Sequence, residues 1–331
     1  MLTREKKKFI NAFIFSTLLF SVVYLLWPAS ADLYGAILRR DFVAPYFPSL
    51  KEPILDTSSL PNAEAVPILM YHGIVREPDG INTSRRTFIK QMEMLYTNGY
   101  QTITLAEYIR FRRGEFTLPA RPIIITFDDG RKDSFYPVDA ILKKLGFTAV
   151  LFVATARANS NDPFYLSWEE LAKVRDTGRF EIEAHGRHSH DDVIMGSDGK
   201  EGRYLAARIW RNGTLESITD FERRVVLDYQ DCLRDLWERL GLRSRFFAAP
   251  LNNFGITPDS SNYDGAYELN KTIAAHFFDL VFHQVSQSQS GAPRESFYNT
   301  KDSDPYNQKR LDVGEMSASN LEAALRYYAP G

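Results

Sequence analysis

Ile123-Ile124-Ile125-Thr126-Phe127-Asp128-Asp129-Gly130 is an apolar run that ends abruptly on two carboxylates and a glycine. An unbroken stretch of β-branched and aromatic residues fits a strand buried on both faces, as in a parallel sheet. At the carboxyl end of such a strand the chain must turn, so adjacent acids that would point to opposite faces can reach one site. Outward from this stretch the pattern repeats. Apolar runs at Val66–Tyr71, Pro122–Phe127, Thr148–Ala154, Phe180–Ala184, Arg245–Ala248 and Asp279–Phe282 alternate with helical periodicity at 85–97, 105–112, 133–144, 168–176, 219–240, 265–275 and 318–328. Capping boxes are predicted for Thr104 with Glu107, Ser167 with Glu170, and Thr219 with Glu222. This alternation implies an α/β fold around a parallel sheet, open or closed into a barrel. Only Val193–Glu216, rich in Gly and Arg, departs from it, and it is expected to form a long loop.

A chain of 331 residues allows one large domain or two modest ones, and 44% hydrophobic with 25% charged residues excludes disordered and fibrous classes. Forty basic against 42 acidic residues leave a net charge of −2, so no nucleic-acid partner is expected. Cys232 is the single cysteine, which rules out an intramolecular disulfide and a cysteine-based zinc site. At the N-terminus Arg4, Lys6, Lys7 and Lys8 precede an uncharged apolar run from Phe9 to Trp27. About 20 apolar residues span a bilayer, and the basic flank stays cytoplasmic. Ala29-Ser30-Ala31 has the form of a cleavage site, yet the run exceeds the roughly 7–15 residues of a cleaved signal, so an uncleaved anchor is favoured. The expected organisation is a basic cytoplasmic segment (1–8), a transmembrane signal-anchor (9–27), a proline-rich tether (28–64) and a catalytic domain (65–331).

A second cluster, Glu183-Ala184-His185-Gly186-Arg187-His188-Ser189-His190-Asp191-Asp192, again follows a predicted strand. Neutral imidazole is the commonest protein ligand for transition metals. His185 and His190 are five apart, a spacing that suits a strand end followed by a turn; His188 is expected to be solvated or hydrogen-bonded. Two histidines and a carboxylate leave coordination positions open, the arrangement of a catalytic metal site, and hydrolysis is its natural chemistry. If one acid of the Asp128–Asp129 pair binds the cation, the other stays ionised and can act as a base. An amide leaving group also needs a proton donor, and His72 in Leu69-Met70-Tyr71-His72-Gly73 is the best-placed histidine elsewhere. His276 and His283 read as structural. Against these readings stand blander ones: a helix N-cap for the aspartates, a surface loop for the histidines and a core residue for His72.

Taken together, these residues resemble the polysaccharide deacetylases of carbohydrate esterase family 4, the NodB-type domain, whose first motif is the T-F-D-D-G found at Thr126–Gly130. The five-residue histidine spacing and the early Tyr71-His72 pair are most similar to exported poly-N-acetylglucosamine N-deacetylases of biofilm operons. The resemblance covers about residues 65–328 and implies a distorted (β/α) barrel, here preceded by one transmembrane helix. It implies Asp128 as catalytic base, His72 as general acid, and Asp129, His185 and His190 as ligands of a divalent metal, zinc before cobalt, nickel or iron. Pro250, Leu251 and Tyr71 are assigned to the oxyanion and substrate region. The implied substrate is an extracytoplasmic amino-sugar polysaccharide, and the implied location is the bacterial inner membrane, with an exopolysaccharide synthesis or export complex as partner. Two departures bear on activity: Ala248 stands where the family's third motif has the arginine that holds the base, and Leu251 replaces its aromatic. They leave room for an O-acetyl esterase or a degenerate polysaccharide-binding domain.

Overall fold

The computed structural model describes residues 55–77, 79–160, 162–256, 260–285, 287–288 and 292–330. The expected anchor (9–27) and most of the tether lie outside these residues. Among the described residues no helix is long and apolar enough to cross a membrane.

Seven parallel strands close into a barrel: β1 (Ala65–Tyr71), β2 (Pro122–Phe127), β3 (Ala149–Val153), β4 (Phe180–Ala184), β5 (Phe246–Ala248), β6 (Leu280–Val285) and β7 (Gln308–Asp312). Each strand pairs with its neighbours in sequence, and β7 returns to pair with β1, which places Leu311 beside Leu69. Residues 298–300 add an antiparallel edge to β1, and residues 101–102 a parallel one to β2.

Strand alternation sorts the side chains into two cores. Inside the barrel pack Val66, Ile68, Ile124, Val150, Phe152, Phe246 and Phe282, while Leu69, Tyr71, Ile125, Phe127 and Leu151 face outward against the helices. Towards the carboxyl ends the interior turns polar, with Thr126, Asp128, Glu183, His185 and Arg310 all buried. This polar layer explains why β7 escapes a sequence reading: its inward residues are Gln308, Arg310 and Asp312, so it lacks an apolar run.

Around the barrel lie α1 (Arg85–Thr97), α2 (Leu105–Arg112), α3 (Asp139–Leu145), α4 (Trp168–Asp176), α5 (Ile218–Leu240), α6 (Ala266–Ala274) and α7 (Ala318–Tyr328). The capping boxes at Thr104 and Ser167 form. That expected at Thr219 does not: the hydroxyl of Ser217 accepts the first free amide, from Asp220, and the helix begins before Thr219. Likewise α3 starts at Asp139 rather than 133, because Pro137 disfavours helix in the residue before it and cannot donate to one. The stretch expected as a loop, Val193–Glu216, contains two short hairpins, 192–194 with 201–203 and 210–211 with 214–215. Arg224 of α5 ties this region down through the carbonyls of Tyr204 (2.5 Å) and Ala207 (2.9 Å) and the carboxylate of Glu216 (2.8 Å).

The barrel is distorted at one seam. Between β4 and β5 only Phe247 and Ala184 are in ladder register. Side chains bridge the gap: one oxygen of Glu183 accepts from the Ser244 hydroxyl (2.6 Å) and the amides of Arg245 (3.1 Å) and Phe246 (3.2 Å). Burial nevertheless dominates and pushes the Glu183 carboxyl up to about 8, so it is protonated at neutral pH. Unfolded, this carboxyl ionises near its ordinary 4.5; between the two values the folded chain holds the extra proton, and stability falls as pH rises. Urea unfolding of the wild type is expected to lose on the order of 2–4 kcal/mol between pH 5 and pH 8. Glu183→Gln removes that slope; an unchanged slope in the variant assigns it to other groups.

Candidate active site

β2 ends at Phe127, and the chain then turns through left-handed backbone at Asp129 (φ 74°) and Gly130 (φ 74°). The turn brings both aspartates to the mouth of the barrel, at 3% and 9% exposure. Two buried carboxylates side by side require separate positive partners.

Asp128 finds its partner across the barrel. Arg310 of β7 donates from Nη1 to Oδ1 (2.6 Å) and from Nη2 to Oδ2 (2.8 Å), and also from Nη1 to the Thr126 hydroxyl (3.1 Å). Its guanidinium lies 5.2 Å from the ring centroid of Phe152. Burial alone would raise the Asp128 carboxyl; the Arg310 charge, then His185, outweigh it and hold the group below the usual carboxylate range. Sequence reading missed Arg310, and its signal was faint: two charged residues, Arg310 and Asp312, spaced two apart on one strand face. The guanidinium sought at Ala248 on β5 thus comes from β7, two strands further round the barrel. Ala248 serves through its backbone, since its carbonyl accepts from His185 Nδ1 at 2.8 Å.

That bond leaves His185 Nε2 as the free nitrogen. It lies 3.4 Å from Asp129 Oδ1, and His190 Nε2 lies 3.3 Å from the same oxygen. All three atoms fall within 4.8 Å of one another, and the buried Asp129 Oδ1 has no hydrogen bond. A tetrahedral ion bound at about 2.0–2.1 Å separates its ligand atoms by roughly 3.3–3.4 Å, so these three groups fit a divalent metal. Burial opposes ionisation of Asp129, but the two facing imidazoles hold its carboxyl well below the usual range. In turn Asp129 raises His190 against the effect of burial. His188 stands apart, exposed and bonded through Nδ1 to Asp191 (3.0 Å). His283 is buried between Asn252 and the Tyr306 carbonyl and is pushed down to about 3 by burial, which keeps it neutral.

His72 follows β1, the strand between β2 and β7, and its carbonyl accepts from the Ser134 hydroxyl at 2.9 Å. Its Nδ1 is buried without a partner, as is Asp312 Oδ1 at the end of β7. Burial pushes the Asp312 carboxyl up and the nearby His72 opposes this; its other oxygen accepts from Gln284 at 2.7 Å. Tyr71 is a correction. It faces outward, fully buried against Phe88 and Phe127, with its hydroxyl on Gln91 at 3.0 Å, and it does not line the site. Beyond β5, Pro250 is buried, whereas Leu251 takes a left-handed conformation (φ 55°) and is 44% exposed at the mouth. Tyr165 stands close enough to Asp129 for that charge to add to burial in raising its phenol, while the Trp168 indole is engaged by Asn159 at 2.9 Å.

Residues 116–254 match the family model described as polysaccharide deacetylase. Residues 116–254 carry a polysaccharide deacetylase domain. The matched stretch of this domain holds Asp128, Asp129, His185 and His190, whereas His72 and Arg310 lie outside it. The poly-beta-1,6-N-acetyl-D-glucosamine N-deacetylase of Escherichia coli K12 is 21% identical over 316 residues, covering 90% of this chain and 46% of that protein. The chain spans less than half the length of the curated relatives it matches. Among solved structures, the de-N-acetylase from Aggregatibacter actinomycetemcomitans superposes with a TM-score of 0.64 at 17% identity, over 80% of this chain and 99% of that one. The BpsB deacetylase domain from Bordetella bronchiseptica gives 0.61 at 20% identity, over 76% and 98%. Both show that the deacetylase domain shares their barrel fold.

Breaking the buried Arg310–Asp128 pair from one side strands a charge. Arg310→Met is expected to cost about 3–5 kcal/mol in urea unfolding. Combined with Asp128→Asn it should cost clearly less than the sum of the two single changes, whereas additivity would show that the pair is not coupled. For the imidazoles, zinc affinity measured by chelator competition should fall at least about 100-fold in His190→Ala and stay at the wild-type value in His188→Ala.

Proposed function

We propose that the domain is a metal-dependent hydrolase that removes N-acetyl groups from an extracytoplasmic amino-sugar polysaccharide of the poly-N-acetylglucosamine type. One observation carries the reading: an ionised, doubly bonded carboxylate, Asp128, sits beside three metal-fitting groups, with a histidine on the adjoining strand end. The Escherichia coli relative, matched over most of this chain, is named for that polymer. The basic residues before an apolar run at 9–27 support an inner-membrane anchor with the domain outside the cytoplasm, where an exopolysaccharide synthesis or export complex is the proposed partner.

In this reading Asp129, His185 and His190 hold the cation, and the nitrogen and oxygen donor set favours zinc. What a divalent ion supplies in such a site is polarisation of a carbonyl and acidification of water. Asp128 takes the proton of the attacking water; Arg310 fixes its orientation and keeps it ionised. As charge develops on the acetyl carbonyl oxygen, the donor assigned to it is the backbone N–H of Leu251, in the left-handed turn after β5. His72 protonates the departing sugar amine, with Asp312 close by at the end of the neighbouring strand. The product is a polymer bearing free amines.

Acetate release from β-1,6-linked N-acetylglucosamine oligomers tests the reading directly. Release should vanish on chelation, return with zinc, and be absent in Asp128→Asn. His72→Ala should lower turnover by about 10²–10⁴-fold on the amide, and by less on an O-acetyl ester, whose better leaving group needs less acid assistance. Equal losses on both substrates would remove His72 from the acid's role. Absence of acetate from the wild type with every metal would overturn the proposed activity.

A further inference from the structure

Four residues separate the two histidines that face Asp129, and the loop they form closes on a carboxylate from a distant helix. Asp228 lies on the inward face of α5 and is 3% exposed. It accepts from the backbone amide of Arg187 (3.2 Å), the backbone amide of His188 (2.6 Å) and the Ser189 hydroxyl. Three consecutive loop residues therefore share one anion, in the manner of a backbone nest.

The rest of the loop is bent to reach it. Gly186 is left-handed (φ 78°), and a Cβ there would collide with the Ser189 hydroxyl. The Gly186 carbonyl accepts from the Thr155 amide at 3.0 Å, and the Ser189 carbonyl from Asn253 Nδ2 at 3.2 Å. Helix α5 does not need Asp228 to pack, since Phe221, Val225, Tyr229, Cys232 and Leu236 bury its apolar face. Among the described residues, the hydrogen bonds of Asp228 go to the loop between His185 and His190.

We propose that Asp228 is a positioning residue for the metal site: by gathering residues 187–189 it fixes the bend of the loop between the two histidines and brings His190 to Asp129, although it is hydrogen-bonded to none of the three ligands. The inference rests on the reading of Asp129, His185 and His190 as metal ligands. Without the carboxylate, two buried amides and a hydroxyl lose their acceptor, and the loop must reorganise to satisfy them. Partners one step removed from a metal typically change its affinity by about 10–100-fold.

The test uses the full chain, stripped with chelator and titrated with cobalt while the visible absorption bands are followed, with thermal unfolding of the metal-free protein recorded in parallel. Asp228→Ala should weaken cobalt binding by about 10–100-fold and alter the band shape. Asp228→Asn, whose amide oxygen still accepts, should fall between Ala and wild type, and it carries the test if the Ala variant does not fold. Leu236→Ala, on the same buried helix face, should lower the unfolding temperature and leave cobalt affinity unchanged. The inference is overturned if both Asp228 variants bind cobalt as the wild type does, or if Leu236→Ala weakens binding as much as they do. No cobalt uptake by the wild type would instead overturn the metal-ligand reading itself, and this role with it.

Discussion

Two aspartates adjacent in sequence and buried at the end of one strand cannot both be ionised unless each has its own positive partner. Much of the upper barrel is arranged around that requirement. Asp128 turns into the barrel and meets the Arg310 guanidinium in a two-point ion pair, while Asp129, swung round by left-handed backbone, meets two imidazoles. Arg310 can reach Asp128 only because β7 closes the barrel against β1, one strand away from β2. Closure of the fold and ionisation of the acid are therefore one constraint. An open sheet of the same strands would leave Asp128 without its cation and β7 with an unpaired buried arginine.

The same economy governs the histidines. The ring of His185 is oriented by the Ala248 carbonyl, across the seam where β4 and β5 barely pair, and Glu183 stitches that seam from two residues earlier in β4. The loop from Gly186 to Ser189 is held from three sides, by Thr155, Asp228 and Asn253. Groups fixed by backbone contacts of this kind lose little freedom when they engage a ligand, which is the physical basis of preorganisation. By contrast Leu251 is exposed at the mouth, and Tyr165 is only partly covered, so this rim is open to solvent above the fixed layer beneath.

Local signals in the chain were strong where they were apolar and periodic. Six of the seven barrel strands and, among the described residues, the core of every helix longer than two turns or so are visible as runs or as 3.6-residue patterns, because those segments bury a continuous face. β7 was invisible because its inward side chains are the polar ones the site requires, and the two hairpins within 192–216 were hidden because short edge pairs carry no apolar alternation. The Thr219 cap failed for a local reason, an equally good acceptor two residues earlier in Ser217. Tyr71 failed for a geometric one, since a residue next to a site histidine on a strand points the opposite way.

By itself the sequence determined the chemistry on offer: a D-D-G turn after a buried strand, a histidine cluster after another, a lone cysteine and a balanced charge, which together point to a cation held by oxygen and nitrogen. Residue types and short spacings carry that much, because ligand and acid–base properties belong to side chains. Which groups meet was decided only by the tertiary structure. The pairing of Asp128 with Arg310 spans 182 positions, and the grip of Asp228 on His188 spans 40. Such contacts are set by barrel closure and helix packing, and no local pattern in the chain encodes them.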